Sequence, residues 1–259
     1  MQQHRKLFFR LALGVSIGWL LMAAAIPRKK ITVWMIGDST MCTYDANRSP
    51  LTGWGMPFAV FFDSSVSVAN RARGGRSTRT FLSENRWQPV ADSILPGDYV
   101  LIQFGHNDEA KEPQYADRYT PVADYRKNLL RFIQNTRSRS GIPILITPVT
   151  RRRFNKEGNI METHKEYTQA VYELGAEQGV PVVDLDTRSR ELLQEFGKDN
   201  SRVLFMELDS LENPHYPSGS HDNTHFNEFG ARKIAELVWK EMKRLHLELA
   251  DRVRMPIVK

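Results

Sequence analysis

The chain has 259 residues, 41% hydrophobic and 25% charged, which places it among ordinary globular proteins with one large domain or two small ones. Its net charge is +6, and its single cysteine, Cys42, excludes an intramolecular disulfide, so stability must come from a packed core. No repeat, low-complexity tract or Gly/Ser/Pro-rich linker divides it, which predicts one domain over residues 26–259.

Residues 1–25 read as a signal peptide. Arg5, Lys6 and Arg10 lead into apolar Leu11 to Met22, and Ala23-Ala24-Ala25 offers small residues at signal-peptidase spacing. The expectation is export to the periplasm or the extracellular space. Membrane contact is expected only through this leader, if it stays uncleaved as an anchor. The leader carries three positive charges and no negative one, so the mature chain falls from +6 to +3. That mild balance, without a basic motif interleaved with aromatics, argues against nucleic acid as a partner. Local clusters at Arg71, Arg73, Arg76 and Arg79 and at Arg151, Arg152 and Arg153 point instead to an acidic polymer outside the cytoplasm. Gly14-Val15-Ser16-Ile17-Gly18 has the form of a nucleophile elbow but lies within the leader with no strand before it, so it is set aside.

Beyond the leader, short apolar runs alternate with stretches of helical period, the pattern of a parallel sheet covered by helices on both faces. The runs are Ile31 to Ile36, Val66 to Ala69, Tyr99 to Gln103, Ile142 to Thr147 and Val180 to Leu185, which predicts five strands. Val122, Tyr125, Leu129, Phe132 and Ile133 share one face of a helix that starts after Thr120-Pro121 and ends before Gly141. Thr163 with Glu166 has capping-box spacing, and the helix it would open buries Tyr167, Ala170, Val171 and Leu174 and stops at Gly179. A last helix from about Asn227 turns Ala231, Ile234, Val238, Met242 and Leu245 inward. Residues 188–217 read as irregular, with a short helical piece ending at Gly197.

In open α/β sheets, ligands sit beyond the carboxyl ends of the strands. The first strand is followed by Gly37-Asp38-Ser39-Thr40, read as a strand-to-helix turn. The second is followed by Asn70 to Ser77, including Gly74-Gly75-Arg76, and the third by Gly105-His106-Asn107-Asp108. Asp222 lies three residues before His225, at the expected mouth of the last helix. A serine hydroxyl attacks an ester only when a base takes its proton, and His225 serves as that base if Asp222 holds its other ring nitrogen. These residues read as a serine esterase. His215, His221, Asp222 and His225 also allow a metal-site reading, but a serine mechanism already uses two of them and needs no metal. Cys42 reads as a buried small residue rather than a second nucleophile.

These four blocks, in this order, resemble the SGNH subgroup of the GDSL hydrolases over residues 31–245. The Gly-Asp-Ser-Thr, Gly53-Trp54-Gly55, Gly-Gly-Arg-Ser-Thr-Arg and Gly-His-Asn-Asp blocks narrow the likeness to rhamnogalacturonan acetylesterases. The resemblance implies a flavodoxin-like three-layer α/β/α sandwich, release of acetate from pectin, and no cofactor. It implies the triad Ser39, Asp222 and His225, with an oxyanion hole made by the backbone N–H groups of Ser39 and a glycine and by the Asn107 amide. Gly75 is preferred for the glycine over Gly74. Galacturonate carboxylates would suit arginine forks, so Arg76, Arg79, Arg151, Arg152 and Arg153 are expected substrate contacts. Trp54 is a candidate sugar platform, and His106 and His221 are candidate contacts or structural residues. The competing readings are the same triad acting on acetylated xylan or a lipid ester, and a carbohydrate-binding module without catalysis.

Overall fold

The computed structural model describes residues 28–254; the expected signal peptide and the elbow-like motif at 14–18 lie outside them. Five strands form a wholly parallel sheet in the order β2-β1-β3-β4-β5: β1 (Ile31–Gly37), β2 (Val66–Asn70), β3 (Tyr99–Gln103), β4 (Ile142–Ile146) and β5 (Val182–Val183). The fifth strand is shorter than the apolar run that predicts it, because Leu185 already opens the next helix.

Alternation along the strands feeds two separate cores. Val33, Met35, Leu101, Ile144 and Ile146 pack on one face, under α1 (Gly55–Phe58), α6 (Leu185–Asn200) and α7 (Glu228–Arg244). Ile36, Val100, Ile102 and Leu145 pack on the other, under α2 (Thr78–Ser83), α3 (Trp87–Ser93), α4 (Val122–Ser138) and α5 (Lys165–Gln178). A period of two therefore yields the three-layer α/β/α sandwich that the sequence predicts. The predicted stripes are the buried ones: Tyr125, Leu129, Phe132 and Ile133 on α4, and Ala231, Ile234, Val238 and Met242 on α7. Each fully buried large side chain among them contributes about 1.5–3 kcal/mol. Helix α7 packs closely, since a Cβ on Gly230 would fall 1.8 Å from the Leu204 carbonyl oxygen. Among the described residues, no helix is long and apolar enough to cross a membrane.

Four local expectations need correction. Thr163 forms no capping box: helix α5 takes His164 as its N-cap, and the Thr163 hydroxyl accepts from Arg151 N and meets the Thr150 hydroxyl. Ser39 lies in a turn with no helix directly behind it, because Met41 N and Cys42 N close back on the Asp38 carbonyl oxygen. Residues 185–200 form a long helix, broken in backbone geometry at Gly197, where φ is +74°. Asp222 and His225 do precede the Asn227 cap of α7, but they lie on a strand: β6 (Phe205–Leu208) and β7 (Ser220–Phe226) make a separate antiparallel pair.

Candidate active site

The parallel register brings the ends of β1, β2 and β3 to one edge, with Gly37 opposite Gln103 and Met35 opposite Asn70. The Ser39 turn is pinned on both sides. Trp54 Nε1 donates to Gln103 Oε1 (2.6 Å), Gln103 Nε2 to Thr40 Oγ1 (2.8 Å), and Thr40 Oγ1 to Asp38 Oδ1 (2.8 Å). Asp38 and Thr40 are thus committed inward, and the side chain between them is left to the cleft. The Gly53-Trp54-Gly55 block belongs to this support: Trp54 N and Gly55 N donate to the carbonyls of Thr40 and Met41. A Cβ on Gly53 would fall 2.0 Å from the Cys42 carbonyl oxygen. Tyr44 closes the turn from outside, its hydroxyl donating to the Ser39 carbonyl oxygen at 2.8 Å.

His225 Nε2 lies 2.8 Å from Ser39 Oγ, and His225 Nδ1 lies 2.6 Å from Asp222 Oδ2. The other Asp222 oxygen accepts the N–H groups of Thr224 (2.8 Å) and His225 (3.0 Å). Burial pushes the Asp222 carboxyl up, but the His225 hydrogen bond and charge, with the two N–H donors, outweigh it and hold the group below its ordinary value. An ionised Asp222 keeps the imidazole proton on Nδ1, leaving Nε2 as the acceptor for the Ser39 hydroxyl. A β-bulge makes this possible. Met206 pairs with Asp222 and Phe205 with Phe226, so Asn223, Thr224 and His225 are extra residues on β7.

The serine opens onto a cleft of about 1020 Å³. Gly74, Gly75 and Asn107 line it beside Ser39. Gly75 has φ +76°, where glycine is favoured, and a Cβ on Gly74 would sit 3.7 Å from that of Ser39. One N–H of the Asn107 amide donates to Arg76 O at 3.0 Å, and the amide carries a second.

His106, Arg76, Arg151 and Arg153 also line the cleft, but two of these arginines are already engaged. Arg76 pairs with Glu84 at 3.0 Å and donates to Gly74 O at 2.9 Å, which braces the glycine loop. Arg151 pairs with Glu109 and donates to His106 O. His106 is buried, its Nε2–H donating to Val149 O at 2.9 Å; burial and the positive charges nearby drive it well below its ordinary value, so it is neutral.

Four expected contacts do not line this cleft. Trp54 is fully buried and tied to Gln103, so it offers no sugar platform. Arg79, on α2, borders a different, smaller depression with Lys127 and Arg131. Arg152 is held by Ser201 Oγ, Asn223 Oδ1 and Lys198 O. His221 faces outward beside Glu207. Of the residues of the metal reading, His215 Nδ1 sits 2.9 Å from Ser49 O, and among the described residues no three His, Cys, Asp or Glu side chains are grouped to hold a metal ion. Burial raises the Cys42 thiol above its ordinary value, which keeps it protonated.

Sequence reasoning missed Glu109, His164, Tyr44 and Arg118. Glu109 joins Arg151 to His164 Nδ1 (2.9 Å) across a separation of 55 residues, and no local pattern announces such a pairing. Burial pushes Glu109 up, but His164 and Arg151 more than reverse this and hold it below its ordinary value.

An α/β/α sandwich with a serine, an imidazole and a carboxylate in line at the strand ends defines a serine-type ester hydrolase. The chain belongs to the GDSL-like lipase/acylhydrolase family, whose model matches residues 35–233. It is 39% identical over 224 residues to the rhamnogalacturonan acetylesterase RhgT of Bacillus subtilis, covering 86% of this chain and 94% of that one. It is 30% identical to a rhamnogalacturonan acetylesterase of Emericella nidulans, covering 81% and 83%. Among solved structures, YxiM of Bacillus subtilis superposes with a TM-score of 0.73 at 26% identity, over 86% of this chain and 59% of that longer one. A catalytic mutant of Axe2, an acetylxylan esterase of Geobacillus stearothermophilus, shares the fold with a TM-score of 0.60 at 17% identity, over 83% and 94%.

Proposed function

We propose that the protein is an exported serine esterase that removes O-acetyl groups from an acidic plant polysaccharide of the rhamnogalacturonan type. The observation that carries this reading is the line Ser39 Oγ, His225 Nε2, His225 Nδ1, Asp222 Oδ2, with links of 2.8 and 2.6 Å, at the floor of an arginine-rich cleft. Ser39 Oγ attacks the acetyl carbonyl carbon as His225 Nε2 takes its proton. The resulting oxyanion is held by the Ser39 and Gly75 N–H groups and the Asn107 amide, each such donor supplying roughly 3–4 kcal/mol. Collapse breaks the bond to the sugar oxygen, which leaves with the proton from His225. Water then repeats the sequence on the acetyl-enzyme, releasing acetate and restoring Ser39. No step needs a cofactor.

The names of the similar enzymes from Bacillus and Emericella support the substrate, and the six arginines lining the cleft fit an acidic polymer better than a lipid chain. Acetylated xylan is the second reading, because an acetylxylan esterase shares the fold. Acetate release from acetylated rhamnogalacturonan, set against acetylated xylan and a lipid ester, tests the assignment, with Ser39→Ala as the blank. Faster release from xylan overturns the pectin reading, and no turnover of any ester returns the protein to a carbohydrate-binding role. The charge and apolar pattern of residues 1–25 supports export, with the leader as the sole membrane contact if it is retained. N-terminal sequencing of the protein recovered outside the cytoplasm tests this, and an intact Met1 on a soluble cytoplasmic protein would reject it.

A further inference from the structure

The arginines around the cleft divide into two sets. Arg76 and Arg151 are neutralised by Glu84 and Glu109, whereas Arg48, Arg73, Arg118 and Arg153 line the same cleft with no carboxylate partner among the described residues. Two unpaired acids, Asp45 and Glu112, and the ionised Asp222 beside neutral His225 also line it, so the four free guanidinium groups leave an excess of one positive charge. Of the free guanidinium groups, Arg118 is the best fixed. Its guanidinium lies over the Tyr115 ring at 3.7 Å, and Arg118 N donates to Tyr115 O at 3.0 Å within the turn after Pro113–Tyr115. Its Nε is buried with no hydrogen-bond partner among the described residues. Its Nη1 lies 3.6 Å from where a Cβ on Gly75 would stand, beside the glycine proposed as an oxyanion donor. Thr120 N donates to Asp108 O at 2.9 Å, tying this segment to the loop that carries Asn107.

A stacked guanidinium is planar, weakly hydrated and already ordered, so it loses little freedom when it receives a second planar anion. We infer that Arg118 is the specificity residue of the cleft, receiving through its guanidinium edge the carboxylate of the acetylated sugar itself. This rests on the proposed acidic-polysaccharide reading and deepens it: the enzyme would select not merely an acetyl group on a glycan but an acetyl group on a uronate. Arg73, next to Gly74 in sequence and free at the same cleft, stands second. The pairing places the recognised charge and the oxyanion on two sides of one glycine loop, so binding the carboxylate orients the ester toward Ser39.

Two measurements test this. The first compares acetate release from an acetylated acidic oligosaccharide and from its carboxyl-reduced counterpart, in wild type, Arg118→Gln and Arg118→Lys. Wild type should prefer the charged substrate in kcat/KM by roughly tenfold or more, as expected for a charge-assisted bidentate contact. Arg118→Gln should abolish that preference, and Arg118→Lys should restore only part of it. An undiminished preference in Arg118→Gln, or none in wild type, overturns the assignment. The second measures competitive inhibition of aryl acetate hydrolysis by deacetylated acidic oligosaccharide. Inhibition that weakens about tenfold in Arg118→Gln supports the carboxylate site even if acetylated rhamnogalacturonan proves a poor substrate, which would separate this inference from the proposed function. Equal inhibition of wild type and variant, or none of wild type, overturns it.

Discussion

Replacing Asn107 with alanine isolates one donor of the proposed oxyanion hole. Asn107 is 7% exposed, lines the cleft beside Ser39, and spends one side-chain N–H on the Arg76 carbonyl at 3.0 Å. Its second N–H is the donor available to the developing oxyanion. Loss of one such donor costs about 2.7–4 kcal/mol in the transition state, which predicts a 10²–10³-fold fall in kcat. The ground-state carbonyl is only weakly charged, so KM should move little. The lost tether to Arg76 O should cost about 1 kcal/mol of stability, measurable as a shift in denaturation midpoint. Steady-state hydrolysis of a neutral aryl acetate is the assay, because it reaches Ser39 without calling on the arginines. A kcat within fivefold of wild type would remove Asn107 from the oxyanion hole, and a rise in KM at constant kcat would reassign it to ground-state binding.

Glu109→Gln keeps shape while removing the charge that joins Arg151 and His164; it should lower kcat on the aryl acetate by about tenfold, the size of one charge-assisted hydrogen bond, by loosening the loop that carries Asn107. A fall in thermal stability with kcat unchanged would make the pairing purely structural. Asp108, buried with Oδ1 accepting from Thr78 N and Thr78 Oγ1, is pushed up by burial from 3.8 to about 7. Between those values the folded protein holds a proton that the unfolded chain has released, so this group's contribution to stability falls as pH rises from about 4 to 7. Asp108→Asn should therefore gain stability relative to wild type across that window in urea titrations, and a wild-type-to-variant difference that does not change with pH would refute the shift. Arg152→Ala removes hydrogen bonds to Asn223, Ser201 and Lys198 and should cost about 1.5–3 kcal/mol while reducing turnover equally on aryl acetate and polymer. A loss confined to the polymer would return Arg152 to substrate binding.

The parts of the fold that were legible in the sequence are those whose burial imposes a local period. Strands covered on both faces carry a continuous apolar run, as Val100-Leu101-Ile102 in Tyr99–Gln103, and helices such as Val122–Ser138 show their inward stripe at three- and four-residue steps. The residues of the candidate triad were legible because the proposed chemistry demands a few side-chain types at the strand ends. The roles of the arginines were not. Whether a guanidinium is free or neutralised depends on a carboxylate elsewhere: Arg76 meets Glu84 eight residues away, and Arg151 meets Glu109 at a separation of 42. Arg118 had no motif to mark it, yet Tyr115 three residues before it was the one available local signal, a ring within reach of the guanidinium.

The Asp-x-x-His spacing shows why chemistry can be read where backbone cannot. Three residues span about one helical turn, which suggests a helix end, whereas in a regular strand residues i and i+3 point to opposite faces. Strand β7 carries the pair nonetheless, because its bulge inserts Asn223, Thr224 and His225 between the pairings of Asp222 and Phe226. The detour is closed internally by the N–H groups of Thr224 and His225 on Asp222 Oδ1, and externally by Arg152, whose N–H meets Asn223 O at 2.9 Å. The residue sequence Ser-His-Asp-Asn-Thr-His-Phe has only Phe226 as an apolar member, so it sends no strand signal, and its partner Phe205–Leu208 lies in the stretch that reads as irregular. What the spacing constrains is the distance from Asp222 to the His225 imidazole, and a turn built on the aspartate's own carboxylate satisfies it as well as a helix would. The same carboxylate therefore does two jobs, folding the backbone through one oxygen and orienting the base through the other. Asp222→Asn should consequently leave the bulge closed through its amide oxygen while its amide nitrogen, a donor, forces the wrong proton arrangement on His225.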